Sequence, residues 1–119
     1  MGDISKNFSF REFSCPCCGK QDISIELVDR LQQVRDMYGR GMKITSGYRC
    51  KKHNDSLPKS SPSSSHIDGE AVDIYCADSS RRDELVGFLR TKFNRMGLHK
   101  HFIHVDISKT KASPVLWVY

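Results

Sequence analysis

The run Ser64-Ser65-His66-Ile67-Asp68-Gly69-Glu70-Ala71-Val72-Asp73 decides how this chain is read, together with Phe102-Ile103-His104-Val105-Asp106, whose histidine follows Asp73 by 31 positions. Residues 70 to 76 alternate as a strand, with Ala71, Asp73 and Tyr75 on one face and Val72, Ile74 and Cys76 on the other. Residues 102 to 107 alternate in the same way and put Phe102, His104 and Asp106 on one face. Gly69 permits a tight turn, so that His66 on the preceding loop comes back over Asp73. An aspartate in the middle of a Val/Ile strand is disfavoured unless its charge is compensated. Singly, His66, Asp73 and His104 read as a loop histidine, an exposed strand residue and a hydrogen-bonded histidine. Jointly they are two imidazoles and a carboxylate, the donor set of a catalytic zinc with one open position, which points to hydrolase chemistry.

Outward from this pair of strands the organisation is coarse but consistent. Ser24 to Tyr38 carries Leu27, Val28, Leu31, Val34, Met37 and Tyr38 at helical spacing, and Gly39 and Gly41 end it. Met42 to Ser46 reads as a strand leading to Arg49. Lys51 to Ser65 is polar and rich in Ser and Pro, which predicts a mobile loop at the mouth of a cleft. Ser80 with Asp83 resembles a helix N-cap, and Leu85, Phe88, Leu89 and Phe93 carry that predicted helix to about Met96, with Gly97 as its terminator. Pro114 to Tyr119 reads as a last strand with Trp117 and Tyr119 on one face.

Composition narrows the class. A length of 119 residues suits one domain spanning 1–119, with no room for a separate second module. Hydrophobic content of 38% and charged content of 28% are ordinary, so a folded protein is expected. No apolar run approaches the roughly 20 residues of a membrane span, and Met1-Gly-Asp-Ile-Ser-Lys lacks the apolar core of a secretion signal. The expectation is a monomer made in the cytoplasm. The net charge of +5 favours anionic polymers in general, but no helix-turn-helix, zinc-finger or stacking pattern argues for nucleic acid. Of the five cysteines, Cys15, Cys17 and Cys18 crowd together, with Cys50 and Cys76 elsewhere. With no secretion signal, reduced thiols are expected; a structural zinc at Cys15, Cys17 and Cys18 is the lesser alternative, because their crowding is unlike the two-pair C-x-x-C spacing, and Cys76 reads as a small buried hydrophobe.

The motif Ser64-x-His66-x-x-Gly69-x-Ala71-x-Asp73, with His104 late in the domain, resembles the signature of the zinc D-alanyl-D-alanine peptidases, the M15 family of carboxypeptidases, dipeptidases and many phage endolysins. Phe8-Ser-Phe-Arg-Glu-Phe-Ser-Cys15 and Thr45-Ser-Gly-Tyr-Arg49-Cys50 are similar to the opening of its small members, so the likeness covers nearly the whole chain. The resemblance implies an α+β fold, with helices on one side of a small, largely antiparallel sheet and a Zn2+ site on the other. It implies His66, Asp73 and His104 as zinc ligands, Arg49 as the arginine that engages the substrate, and Ser64 as a substrate-binding or supporting hydroxyl. It also implies a peptidoglycan stem or crosslink peptide as substrate, cut at a D-Ala-D-Ala bond or, as in some endolysins, at L-Ala-D-Glu. Without a signal peptide, such an enzyme would reach the cell wall by release, by delivery or as part of a phage particle.

One position departs from the family pattern. Members carry Glu or Asp three residues before the last zinc histidine as general base, and this chain has His101. A histidine can serve as a base, with an ordinary pKa near ~6.5. His101 is therefore a candidate catalytic residue beside Arg49, with His99, Asp106 and Glu70 as alternatives. The missing carboxylate also fits a non-catalytic zinc-containing binding module, since the hedgehog signalling domain resembles these peptidases in fold and zinc site yet works by binding partners.

Overall fold

The computed structural model describes residues 2–57 and 63–119. Five strands form one sheet in the order β1-β2-β4-β3-β5, comprising β1 (Ile44–Ser46), β2 (Ala71–Tyr75), β3 (Arg95–Leu98), β4 (Phe102–Asp106) and β5 (Val115–Val118). All pairings are antiparallel except β3 with β5. The period of two divides each central strand. Val72, Ile74, Ile103, Val105 and Met96 join one buried cluster with Leu27, Val28, Leu31 and Val34 of α1 (Ile25–Tyr38) and Leu85 and Leu89 of α3 (Ser79–Arg90). Burying a leucine such as Leu27 or Leu31 completely contributes about 1.5–3 kcal/mol, so this face holds the sheet to its helices. The opposite face carries Asp73, His104 and Trp117, and the fold is the expected α+β arrangement.

Helix α1 follows its sequence signals. The Ser24 hydroxyl accepts from the Leu27 amide at 3.3 Å, and Gly39 ends the helix in the left-handed region at φ 71°. Met37 is exposed and Tyr38 only half buried, so the apolar stripe is narrower than the sequence suggests.

Three predicted elements differ. Helix α3 is capped by Asp78, whose carboxylate accepts from Ser80 and Arg81, and it stops at Arg90 rather than near Met96. Phe93 and Met96 still face the core, so the apolar spacing runs on unbroken across a helix-to-strand junction. Arg95–Leu98 is a strand because β4 and β5 pair with it on both edges. Gly97 thus ends no helix; the Trp117 indole lies against it, where a Cβ would overlap the ring. The predicted loop at 51–65 contains α2 (Lys51–Ser56), with Cys50 as N-cap. Residues 58–62 of that predicted loop lie outside the described residues.

Gly69 does what its position in the motif requires. Its φ is 70°, and a Cβ there would overlap the Asp22 carbonyl oxygen. Its own carbonyl accepts from the Ser24 amide at 2.8 Å, which ties the His66 loop to the start of α1. Left-handed backbone costs an ordinary residue about 1–2 kcal/mol before any clash is counted. Gly69→Ala is therefore expected to lower unfolding stability in urea by more than ~2 kcal/mol. A change within ~0.5 kcal/mol would contradict this reading.

Candidate metal centre

Register, not sequence proximity, assembles the polar face. Asp73 on β2 stands directly opposite His104 on β4, and Gly97 on β3 is opposite both His104 and Trp117. One row across the sheet therefore holds the carboxylate, the imidazole and the indole, with the His104 and Trp117 rings 5.3 Å apart. Gly97 keeps that row open because it has no side chain between its two neighbours.

His66 reaches the row from its loop. The Ser64 hydroxyl accepts from the His66 amide at 3.2 Å, the local bond by which a serine shapes a turn. The His66 carbonyl accepts from the amides of Gly69 and Arg49, so the loop is closed against both flanking segments. Its Nε2 lies 3.4 Å from Asp73 Oδ1, while Nδ1 lies 2.7 Å from the Gly47 carbonyl. A carbonyl only accepts, so Nδ1 carries a hydrogen and Nε2 is the nitrogen turned toward Asp73.

His104 is fixed by the same logic. Its Nε2 is 2.8 Å from Asp106 Oδ2, and its Nδ1 is 2.9 Å from Asp73 Oδ1. Asp106 is in turn held by Arg95 Nε at 2.7 Å and by the Ser108 amide at 3.1 Å. Arg95 also donates to the Ala112 carbonyl and stacks over the Trp117 ring. Asp106 thus orients an imidazole, the task of a carboxylate behind a metal-binding histidine.

The two imidazoles and Asp73 form a group whose donor atoms all lie within 4.8 Å of one another, and all three residues are buried. The chemistry of the set fits a zinc ion. Each ring has its other nitrogen occupied by an acceptor, which points a lone pair or an exchangeable proton toward Asp73. Without an ion, a proton on His104 fills that place. Burial pushes the His104 pKa down, but its bonds to Asp106 and Asp73 outweigh this and raise it. Burial pushes Asp73 and Asp106 up, but the His104 bond to each, joined by His66 at Asp73, holds both below the usual carboxylate range.

Arg49 stands beside this group with three of its five N–H donors committed, to Ser46 Oγ at 3.1 Å, Asn54 Oδ1 at 3.2 Å and Asp73 Oδ2 at 3.5 Å. A cavity of about 500 Å³ opens over the centre. Arg49, Ser64, His66, Asp73 and His104 all line it, so five of the six sequence-predicted site residues come together. His101 does not. It is exposed in the turn before β4, its amide donates to His99 Nδ1, and neither histidine lines the cavity. The reason is local, since β4 begins at Phe102 and only its alternate residues share the face of His104. Glu70 also lies outside the cavity lining.

Residues that the motif did not signal complete the cavity. Lys111 donates to Ser65 Oγ at 3.0 Å, and Trp117 and Tyr119 form an aromatic wall with Phe102. Desolvation, then the Asp73 charge, raises the Tyr119 pKa, so its phenol remains a hydrogen donor. The strand parity of residues 115–119 was the one available signal for the two aromatics; nothing pointed to Lys111 or Arg95. A second group, Cys15, Cys17, Cys18 and Cys50, also lies within metal-binding reach, with Cys50 joining the three crowded cysteines.

Among known families, residues 6–106 match the model described as Peptidase M15. No curated protein matches the chain.

The raised His104 pKa gives a signed expectation for metal-free protein. Its stabilising contribution is complete below ~6.5, the ordinary histidine value, and is lost as pH rises through the raised folded value. The contributions of Asp73 and Asp106 are complete above ~3.9 and are lost as pH falls through their depressed values. In chelator-treated protein, NMR titration is expected to find His104 ionising above ~6.5, and Asp106→Asn is expected to lower that value. A His104 that titrates below ~6.5 in the parent protein would contradict the assignment.

Proposed function

Because the chain belongs to the peptidase M15 family, a family of zinc peptidases, we propose that residues 1–119 act as a single peptidase domain on peptidoglycan stem or crosslink peptides, with zinc held by His66, Asp73 and His104. The observation that carries this reading is the convergence of three buried donors on one point, each imidazole turned by an acceptor on its far nitrogen. When bound, the ion supplies Lewis acidity toward a peptide carbonyl and toward water.

The chain's own groups bind and orient. Arg49 offers a fixed guanidinium at the cavity wall, suited to a peptide carboxylate or carbonyl. The Tyr119 phenol and the Ser64 hydroxyl offer neutral hydrogen bonds to the peptide, and Trp117 with Phe102 presents an apolar wall to a small side chain. Three cationic side chains, Arg49, Arg95 and Lys111, line the cavity, although Arg95 is committed to Asp106. This balance favours a substrate with a free carboxylate, as at a D-Ala-D-Ala terminus, over an internal L-Ala-D-Glu bond.

One observation favours the second reading, a zinc-containing binding module. Among the described residues, the only carboxylates lining the cavity are Asp73 and Asp106, both bonded to histidine and arginine partners, and no acidic residue replaces His101.

Digestion of purified peptidoglycan followed by mass spectrometry separates the two. New stem-peptide fragments that vanish on chelation, and in His66→Ala, are expected; intact peptidoglycan with zinc bound would establish the binding module instead. A charged hydrogen bond is worth about 1.5–3 kcal/mol, so Arg49→Ala is expected to lose ~10–100-fold in kcat/KM on a peptide with a free C-terminal carboxylate. The same variant should lose much less on the amidated peptide. Equal losses on the two substrates would remove Arg49 from carboxylate recognition.

A further inference from the structure

Four of the cysteines form a second candidate group. Cys15, Cys17 and Cys18 lie in a tight knuckle, where the Gly19 amide donates to the Cys15 carbonyl at 2.8 Å and the Cys15 amide to the Lys20 carbonyl at 2.7 Å. Gly19 makes the reversal at φ 72°. Cys50 comes from the far side of the sequence, between Arg49 and the first turn of α2. All five cysteines of the chain are free, and the four named here bring their sulfurs within 4.8 Å of one another.

The spacing among them suits a tetrahedral ion. A zinc–sulfur distance of about 2.3 Å makes the sulfur–sulfur edge of a ZnS4 tetrahedron about 3.8 Å. The separations are 3.8 Å for Cys15–Cys17, 3.6 Å for Cys15–Cys50 and 3.3 Å for Cys17–Cys50. Backbone amides already point at the sulfurs: Cys50 N–H donates to Cys15 Sγ at 3.5 Å and His53 N–H to Cys50 Sγ at 3.4 Å. Such donors stabilise the thiolate form that a metal requires. Cys15, Cys17 and Cys50 make a triangle of comparable edges with Cys18 inside the same reach, which matches a shared ion better than a single disulfide.

We infer that Cys15, Cys17, Cys18 and Cys50 bind a second, structural zinc ion that clasps the N-terminal knuckle to the segment bearing Arg49. Four thiolates leave no open coordination position, so this ion is structural rather than catalytic. The clasped segment matters to the cavity. Gly47, three residues before Cys50, supplies the carbonyl that fixes His66, and Arg49 is the immediate neighbour of Cys50. The Tyr48 amide donates to the Phe13 carbonyl at 2.8 Å, and Gly47 packs so closely on Phe13 that a Cβ would overlap its backbone. The clasp thus closes a loop between residues 18 and 50 and holds the arm that carries Arg49 and the carbonyl behind His66.

Elemental analysis of the intact protein and of His66→Ala, with cobalt exchanged for zinc in the variant, tests this directly. Two zinc ions per chain are expected in the parent and one in His66→Ala, with intense thiolate-to-cobalt charge-transfer absorption in the cobalt form. Cys17→Ser/Cys50→Ser should remove that absorption, and mild thiol modification of His66→Ala should release its one metal ion without any mutation of the cysteines. A His66→Ala protein without metal, a cobalt form lacking thiolate absorption, bound iron in place of zinc, or a thiol count showing a disulfide among these four would each overturn the inference. Loss of the cysteine site leaves the His66 centre to be judged by its own metal, so the two readings fail separately.

Discussion

Asp73 lies in the middle of the interior strand β2 and is only 6% exposed, where an uncompensated carboxylate would cost several kcal/mol. Its two oxygens are divided between partners: Oδ1 faces both imidazoles and Oδ2 faces Arg49. Each partner arrives from a different part of the chain, and each arrival depends on a specific backbone device. His104 arrives by strand register, His66 by the left-handed turn at Gly69, and Arg49 by the short strand β1 and the segment after it. The polar face of the sheet is in this sense organised around one buried charge. The apolar face supplies the rigidity that makes such an arrangement affordable, through α1 and α3 packed on Val72, Ile74, Ile103 and Val105.

A chain of orienting contacts extends behind each histidine. Arg95 holds Asp106, Asp106 holds His104, and Trp117 folds over Gly97 beside them. On the other side, the Gly47 carbonyl holds His66 and belongs to the arm that ends in Cys50. The nitrogens facing Asp73 can therefore carry a proton or meet a cation, but the rings cannot rotate without breaking a buried hydrogen bond. Ring orientations held in this way are what a pair of metal-binding histidines requires.

Much of this was legible in the sequence because it rested on short-range rules. The alternation in 70–76 and 102–107 gave the faces of β2 and β4, Ser24 and Gly39 bounded α1, and Gly69 marked the turn. What escaped depended on partners distant in sequence. The strand at Arg95–Leu98 was hidden because Phe93 and Met96 continue the apolar spacing of α3, and only pairing with β4 and β5 decides its conformation. The helix at Lys51–Ser56 has no apolar period; it is fixed by the Cys50 cap and by Asn54 buried against Arg49. His101 was selected by its offset from His104, whereas the start of β4 at Phe102 keeps it in the turn. Cys50 joins Cys15, Cys17 and Cys18 only once the Arg49 arm has folded, so the local spacing shows three of the four grouped thiols and not the fourth.

The proposed function stands on one divalent ion held jointly by His66, Asp73 and His104 in the cavity beside Arg49. Anomalous diffraction at the zinc absorption edge, from crystals of the protein grown with zinc, measures the ion's position without reference to activity. The expected result is a peak in direct contact with His66 Nε2, Asp73 and His104 Nδ1, with Asp106 and the Gly47 carbonyl still bonded to the far nitrogens. A fully zinc-supplied crystal with no peak among these three residues, and with Asp73 still bonded to a protonated His104, would contradict it.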